Sequence, residues 1–155
     1  MGQFFYDMFT NKLFLAPAAG WFFAQVIKIF LDTLKNGFNP DRLTGSGGMP
    51  SSHSATVMGL LVAASTNYGP KSSEFVFAFF LAVIVIYDAA GVRLETQRQG
   101  FALNILNKER ASEGKEPLID RMLREKMGHT VPEILVGMVI GTICGLVVNI
   151  LPFMN

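Results

Sequence analysis

Residues 47–57 read GGMPSSHSATV, and this short stretch decides how the rest of the chain is read. Two glycines and a proline bend the backbone, Ser51 and Ser52 are helix-capping residue types, and an apolar run begins directly behind His53. An ordinary Gly-Pro turn followed by a serine cap accounts for Pro50 and the serines. It gives no reason for a histidine, and none for placing the most polar and bendable residues at the mouth of a greasy helix.

Composition says what that helix belongs to. Of the 155 residues 50% are hydrophobic and only 16% charged, where soluble proteins carry about 25%. Mean hydropathy is +0.37. Fourteen Phe stand against three Tyr and one Trp, a choice of aromatics without a polar tip that needs a partner. The chain reads as one integral membrane domain covering 1–155. Four apolar segments, 13–31, 53–68, 75–92 and 131–151, fit an all-α membrane bundle of about four transmembrane helices. A span takes about 20 residues, or 17 where the membrane is thin, so the second segment needs shielding by its neighbours.

NYGPKSS (67–73) is a tight polar turn, whereas 32–52 and 93–128 are long polar connections that four spans put on the same side. Of the thirteen Lys and Arg, Lys35 and Arg42 lie in the first connection, and Arg93, Arg98, Lys108, Arg110, Lys115, Arg121, Arg124 and Lys126 in the second. Only Lys12 and Lys71 fall on the other side, and Lys28 lies within the first span. The positive-inside rule then puts both connections in the cytoplasm of a bacterial-type inner membrane and both termini outside. Residues 101–124 carry a partly helical pattern interrupted by ASEGKEP, which predicts a cytoplasmic helical hairpin or lid. Net charge is +1, which gives no basis for a nucleic-acid partner. Cys144, the single cysteine, sits in an apolar segment as a small buried hydrophobe. The N-terminus lacks the basic leader of a cleaved signal peptide, and Tyr6 replaces the hydroxyl residue of a myristoylation signal. Gly137, Gly141 and Gly145 share one face of the last span. They suit close helix approach, within the chain or across a homodimer.

The two histidines, His53 and His129, both fall at the cytoplasmic start of a span, and each is flanked by glycine and hydroxyl residues. Behind Ser51 and Ser52 the first helical N–H groups form a natural anion site. Glu133, four residues after His129, is placed to orient the imidazole, but Thr130-x-x-Glu133 is equally a capping box. Glu125, four residues before His129, is a second possible orienter. Lys28 has Gln25 one turn away, which suggests a polar pocket rather than plain snorkelling. Asp88 reads as an ionisable group deep in an apolar span, either functional or paired with Arg93 or Lys28. Cations, helix amides and two histidines suit a phosphoryl group: one histidine attacks phosphorus and the other protonates the leaving alcohol. The chain has neither a carboxylate cluster for magnesium nor a ligand set for zinc, so no metal or cofactor is expected.

FAQVIK (23–28), DRLTGSGGMPSSHSA (41–55), YDAAGVR (87–93), RQGFALN (98–104) and LREKMGHTVPEILVG (123–137) together resemble the divergent branch of the type 2 phosphatidic acid phosphatases. These are relatives of integral-membrane lipid phosphatases and vanadium haloperoxidases. The resemblance covers nearly the whole chain. It implies hydrolysis of a phosphate monoester through a phosphohistidine, with His129 as nucleophile, Glu133 as its carboxylate and His53 as the acid. Lys28, Arg42, Ser51, Ser52 and Arg93 would hold the phosphate, with Asp88, Gln25 and Glu125 in support. The chain departs from the main branch, which keeps its first lysine and arginine in one motif ending Arg-Pro and reads Pro-Ser-Gly-His where this chain reads Pro-Ser-Ser-His.

The favoured expectation is a cytoplasm-facing lipid phosphate phosphatase embedded in the bilayer, with phosphatidylglycerophosphate as first substrate and phosphatidic acid or a polyprenyl phosphate next. A non-hydrolytic headgroup-binding or scaffold protein is the alternative, as is a phosphotransferase sharing the first half-reaction. A transporter fits worst, because no repeat or broken span is visible.

Overall fold

The computed structural model describes residues 1–37 and 47–152, which contain helices and no strand. The helices are α1 (Gly2–Thr10), α2 (Lys12–Asn36), α3 (Ser52–Tyr68), α4 (Ser73–Ala90), α5 (Val92–Ser112) and α6 (Val131–Ile150). Among the described residues three stretches are long and apolar enough to cross a membrane: Lys12–Asn36, Ser73–Ser112 and Val131–Ile150. The 17-residue α3 is shorter, about 25 Å at 1.5 Å per residue, and packs against α2, α4 and α6 at the centre of the bundle. It is the fourth helix of a membrane bundle, shielded by the other three.

The packing is inverted relative to a soluble protein. The buried apolar side chains are mainly alanines, among them Ala16, Ala24, Ala55, Ala63, Ala64 and Ala78, while Phe22, Phe23, Phe30, Phe77 and Phe80 point outward. Lipid rewards no aromatic burial, so helices associate through close van der Waals contact of small residues. A Cβ on Gly141 would lie 2.2 Å from the Ala55 carbonyl oxygen, and one on Gly20 2.6 Å from that same oxygen. A Cβ on Gly137 would meet Ser51 O at 2.3 Å, and one on Gly145 would meet Val62 at 2.8 Å. The face of Gly137, Gly141 and Gly145 therefore packs against the α3 segment of the same chain, one of the two arrangements its spacing allowed.

Both ends of the bundle can be located. Lys12 donates to Asn149 O at 3.4 Å, and Asn11, Lys12, Leu13, Asn67 and Tyr68 line one small pocket. The start of α2, the turn after α3 and the end of α6 thus meet at one end. At the other, Ser51 N donates to Glu133 O at 3.0 Å and His129 N to Ala89 O at 3.1 Å. The ends of the two long connections meet there, as a four-helix up-and-down order requires.

Three features differ from expectation. The short α1 precedes the first span, with Phe4, Phe5, Tyr6 and Phe9 exposed. The expected hairpin over 101–124 is instead one helix, α5, followed by a strap over 113–130 with no helix in it. Gly114, at φ +71°, ends α5, a conformation other residues rarely take. The strap is fastened to α5 by side-chain amides. Asn107 donates to Ile119 O and accepts from Leu118 N, and Asn104 donates to Leu123 O and accepts from Leu123 N, at 2.7 to 2.9 Å. Finally, Asp88 is not deep: it lies in the last turn of α4, half exposed, bonded to Arg93 Nε.

Candidate functional site

The strap carries His129 to the bundle by anchoring four successive backbone amides. Met127 N and Gly128 N both donate to Gln97 Oε1, at 3.0 and 3.2 Å. His129 N donates to Ala89 O at 3.1 Å, and Thr130 N to Glu133 Oε2 at 3.0 Å. Gly128 has to be glycine, because a Cβ there would lie 2.3 Å from Leu94 Cα. The imidazole that results is 1% exposed.

His53 arrives by a different route, in the first turn of α3 behind its Ser51 cap. The two imidazole rings lie 6.0 Å apart between centroids, inclined at 63°. His129 Nδ1 is 3.3 Å from Glu133 Oε2. His53 Nδ1 and His129 Nε2 are buried without a hydrogen-bond partner among the described residues. Buried polar atoms normally find partners, so each such exception asks for a reason.

The same Glu133 oxygen serves both readings of its spacing: it accepts the Thr130 amide and faces the imidazole. A neutral imidazole that meets a carboxylate through Nδ1 keeps its proton there, leaving Nε2 as a lone pair. Burial pushes the His129 pKa below its ordinary value, the Lys28 charge adds to that, and Glu133 opposes it. At neutral pH the ring is thus uncharged, with its Nε2 lone pair unpartnered among the described residues.

Lys28 is buried on α2, 6% exposed, and donates to Ser52 Oγ at 3.3 Å. Gln25 lies one turn away, half buried. Arg93 pairs with Asp88, and the charges of Arg93, Lys28 and Asp88 all act on His53. Of the expected serine pair, Ser52 faces Lys28, whereas Ser51 is fully buried and accepts from Ser54 N and Oγ as a helix cap. Glu125 is not beside His129: the strap has no helical spacing, and its carboxylate accepts from Asn104 at 2.8 Å. Arg42 lies outside the described residues. No group of three His, Cys, Asp or Glu side chains suited to a metal ion occurs among the described residues.

Gln97 is the functional neighbour that the motif reading missed. Its signal was the spacing of Gln97, Asn104 and Asn107, which puts three amides on one face of a polar helix. A cleft of about 330 Å³ adjoins the site, and Lys28 and Glu133 are part of its wall. The last turns of α2, residues 47–49, Leu94 and Gln97 of α5 and the end of the strap supply the rest.

The family described as "Divergent PAP2 family" matches residues 9–144. The chain is similar to the uncharacterized membrane protein YuiD of Bacillus subtilis (strain 168), 32% identical over 151 residues, which cover 91% of this chain and 96% of that protein. No solved structure gives a significant match.

Proposed function

The chain belongs to the divergent PAP2 family, and from that premise we propose that it is a membrane-embedded phosphatase that removes the phosphomonoester from a lipid through a phosphohistidine. One observation carries the reading. Two imidazoles lie with their centroids 6.0 Å apart, each with a buried, unpartnered nitrogen among the described residues, beside a buried lysine.

The chemistry balances with these groups. His129 Nε2 attacks phosphorus while the bond from phosphorus to the lipid oxygen breaks, and His53 takes the remaining proton of the monoester monoanion and passes it to the departing alkoxide. Glu133 offsets the positive charge that grows on the His129 ring. Water then attacks the phosphohistidine, His53 takes its proton, and inorganic phosphate leaves with His129 restored. Lys28, Ser52 Oγ and the first two amides of α3, those of Ser52 and His53, neutralise the phosphoryl oxygens, while the next two amides are held by Ser51. Arg93, though paired with Asp88, adds its field from the first turn of α5.

The site end carries most of the basic residues, which favours a cytoplasm-facing site with both termini outside. A substrate phosphorylated on the inner leaflet fits best, with phosphatidylglycerophosphate first, then phosphatidic acid or a polyprenyl phosphate. Phosphate release by purified protein in detergent with EDTA, from these three lipids side by side, tests the reading. Release that disappears in His129→Ala is expected; no release from any of the three would leave a headgroup-binding protein or a phosphotransferase.

A further inference from the structure

The wall of the cleft beside the site holds two lysines that the phosphoryl chemistry at His129 does not use. Apart from Lys28, its wall includes Lys35 in the last turn of α2 and Lys126 on the strap, both exposed. Neither makes an ion pair among the described residues. The two carboxylates in the same wall are engaged, Glu133 by Thr130 and His129, and Asp32 by Asn36 at 3.0 Å. Lys35 has a local reason to be there, since a cation in a last turn complements the helix dipole. Lys126 has none.

The backbone at Lys126 is held on both sides. Gly47, at φ +84°, approaches so closely that a Cβ would sit 3.1 Å from the Lys126 carbonyl carbon, and the next amide is bonded to Gln97. A cation is thus carried on a fixed support at a cleft joined to Lys28 and Glu133. At about 330 Å³ the cleft is at the small end of ligand pockets, large enough for a polar headgroup and too small for acyl chains.

We propose that this cleft is a second anion subsite, in which Lys35 and Lys126 bind a further phosphate group on the headgroup whose phosphomonoester reacts at His129. The inference rests on the phosphatase reading and adds a selection rule to it. A lipid whose monoester is joined through a short polyol to a phosphodiester presents its second charge to the cleft. Phosphatidic acid has no such charge and gains nothing there.

The test uses the full chain in detergent micelles doped with either phosphatidylglycerophosphate or phosphatidic acid, comparing wild type with the Lys35→Ala/Lys126→Ala double variant. The double variant is expected to raise KM for the two-phosphate lipid about tenfold, the effect of two partly exposed ion pairs, with kcat held. Its KM for phosphatidic acid should move less than about twofold. Lipid binding measured in a His129→Ala background separates the two claims: if wild type hydrolyses neither lipid, the phosphatase reading fails, yet a lysine-dependent binding preference still upholds the subsite. Equal losses on both lipids, or a preference that persists in the double variant, would overturn it. So would inorganic phosphate binding that the lysine substitutions weaken while lipid selectivity stays intact, since the cleft would then be a free-anion site.

Discussion

His53 rides on α3, a helix wedged between α2 and α6 by glycines that let backbones touch, whereas His129 sits at the end of a strap with no helix in it, held by a few hydrogen bonds. The first arrangement is distributed: many weak contacts, each dependent on the absence of a side chain. The second is concentrated, so that Gln97, Ala89 O and Glu133 fix four successive amides between them. Damage to the first should cost the fold, and damage to the second should cost catalysis while the helices stay packed.

Gly141→Ala is the harshest test of the packed half. A methyl 2.2 Å from the Ala55 carbonyl forces α3 and α6 apart, at a cost of about 3 kcal/mol. Lower yield and a lower thermal midpoint in detergent are expected, with both histidines lost to the site; an unchanged midpoint would mean that the glycine contact does not hold the bundle.

On the tethered half, Glu133→Gln should leave the midpoint nearly unchanged and lower kcat about 100-fold, because an amide still accepts from Thr130 but no longer offsets charge on the His129 ring. A milder effect is expected from Gln97→Leu. It strands two amides, each worth about 1 kcal/mol or more, and should reduce kcat about tenfold and lower the midpoint by a few degrees, less than Gly141→Ala. Gln97→Glu keeps an acceptor oxygen and should restore the rate; equal rates in the leucine and glutamate variants would show that the strap needs no tether there.

The smallest effect is on pH dependence. With the folded pKa of His129 held below its ordinary value of about 6.5, the unfolded chain takes up its proton first as pH falls. The contribution to stability is therefore present above about pH 6.5 and is lost as pH falls through the folded value. The acid limb of kcat/KM should follow the same ring, and Glu133→Gln should move that limb to lower pH, because the carboxylate is what raises it.

The packed half was the legible half. Apolar length marks α2, α3, α4 and α6 in the sequence, and the run from Gly47 to His53 announces the mouth of α3. The tethered half was legible only in its chemistry. His129 and Glu133 stand out by spacing, but the path of the strap is set by side chains on another element, Asn104, Asn107 and Gln97, which no local pattern in 113–130 encodes. For the same reason Glu125 looked like an orienter: a four-residue spacing has meaning only on a helix, and the strap has none. Asp88 looked deep because its flanks are apolar, although α4 ends two residues later.

The central claim is that the His129 ring itself takes the phosphoryl group. Wild-type protein should be mixed with the preferred lipid, quenched in alkali during turnover, digested and mass-mapped. The account predicts one added phosphoryl group on the peptide containing His129, absent in His129→Ala. Turnover with no adduct, or an adduct on His53, would contradict it.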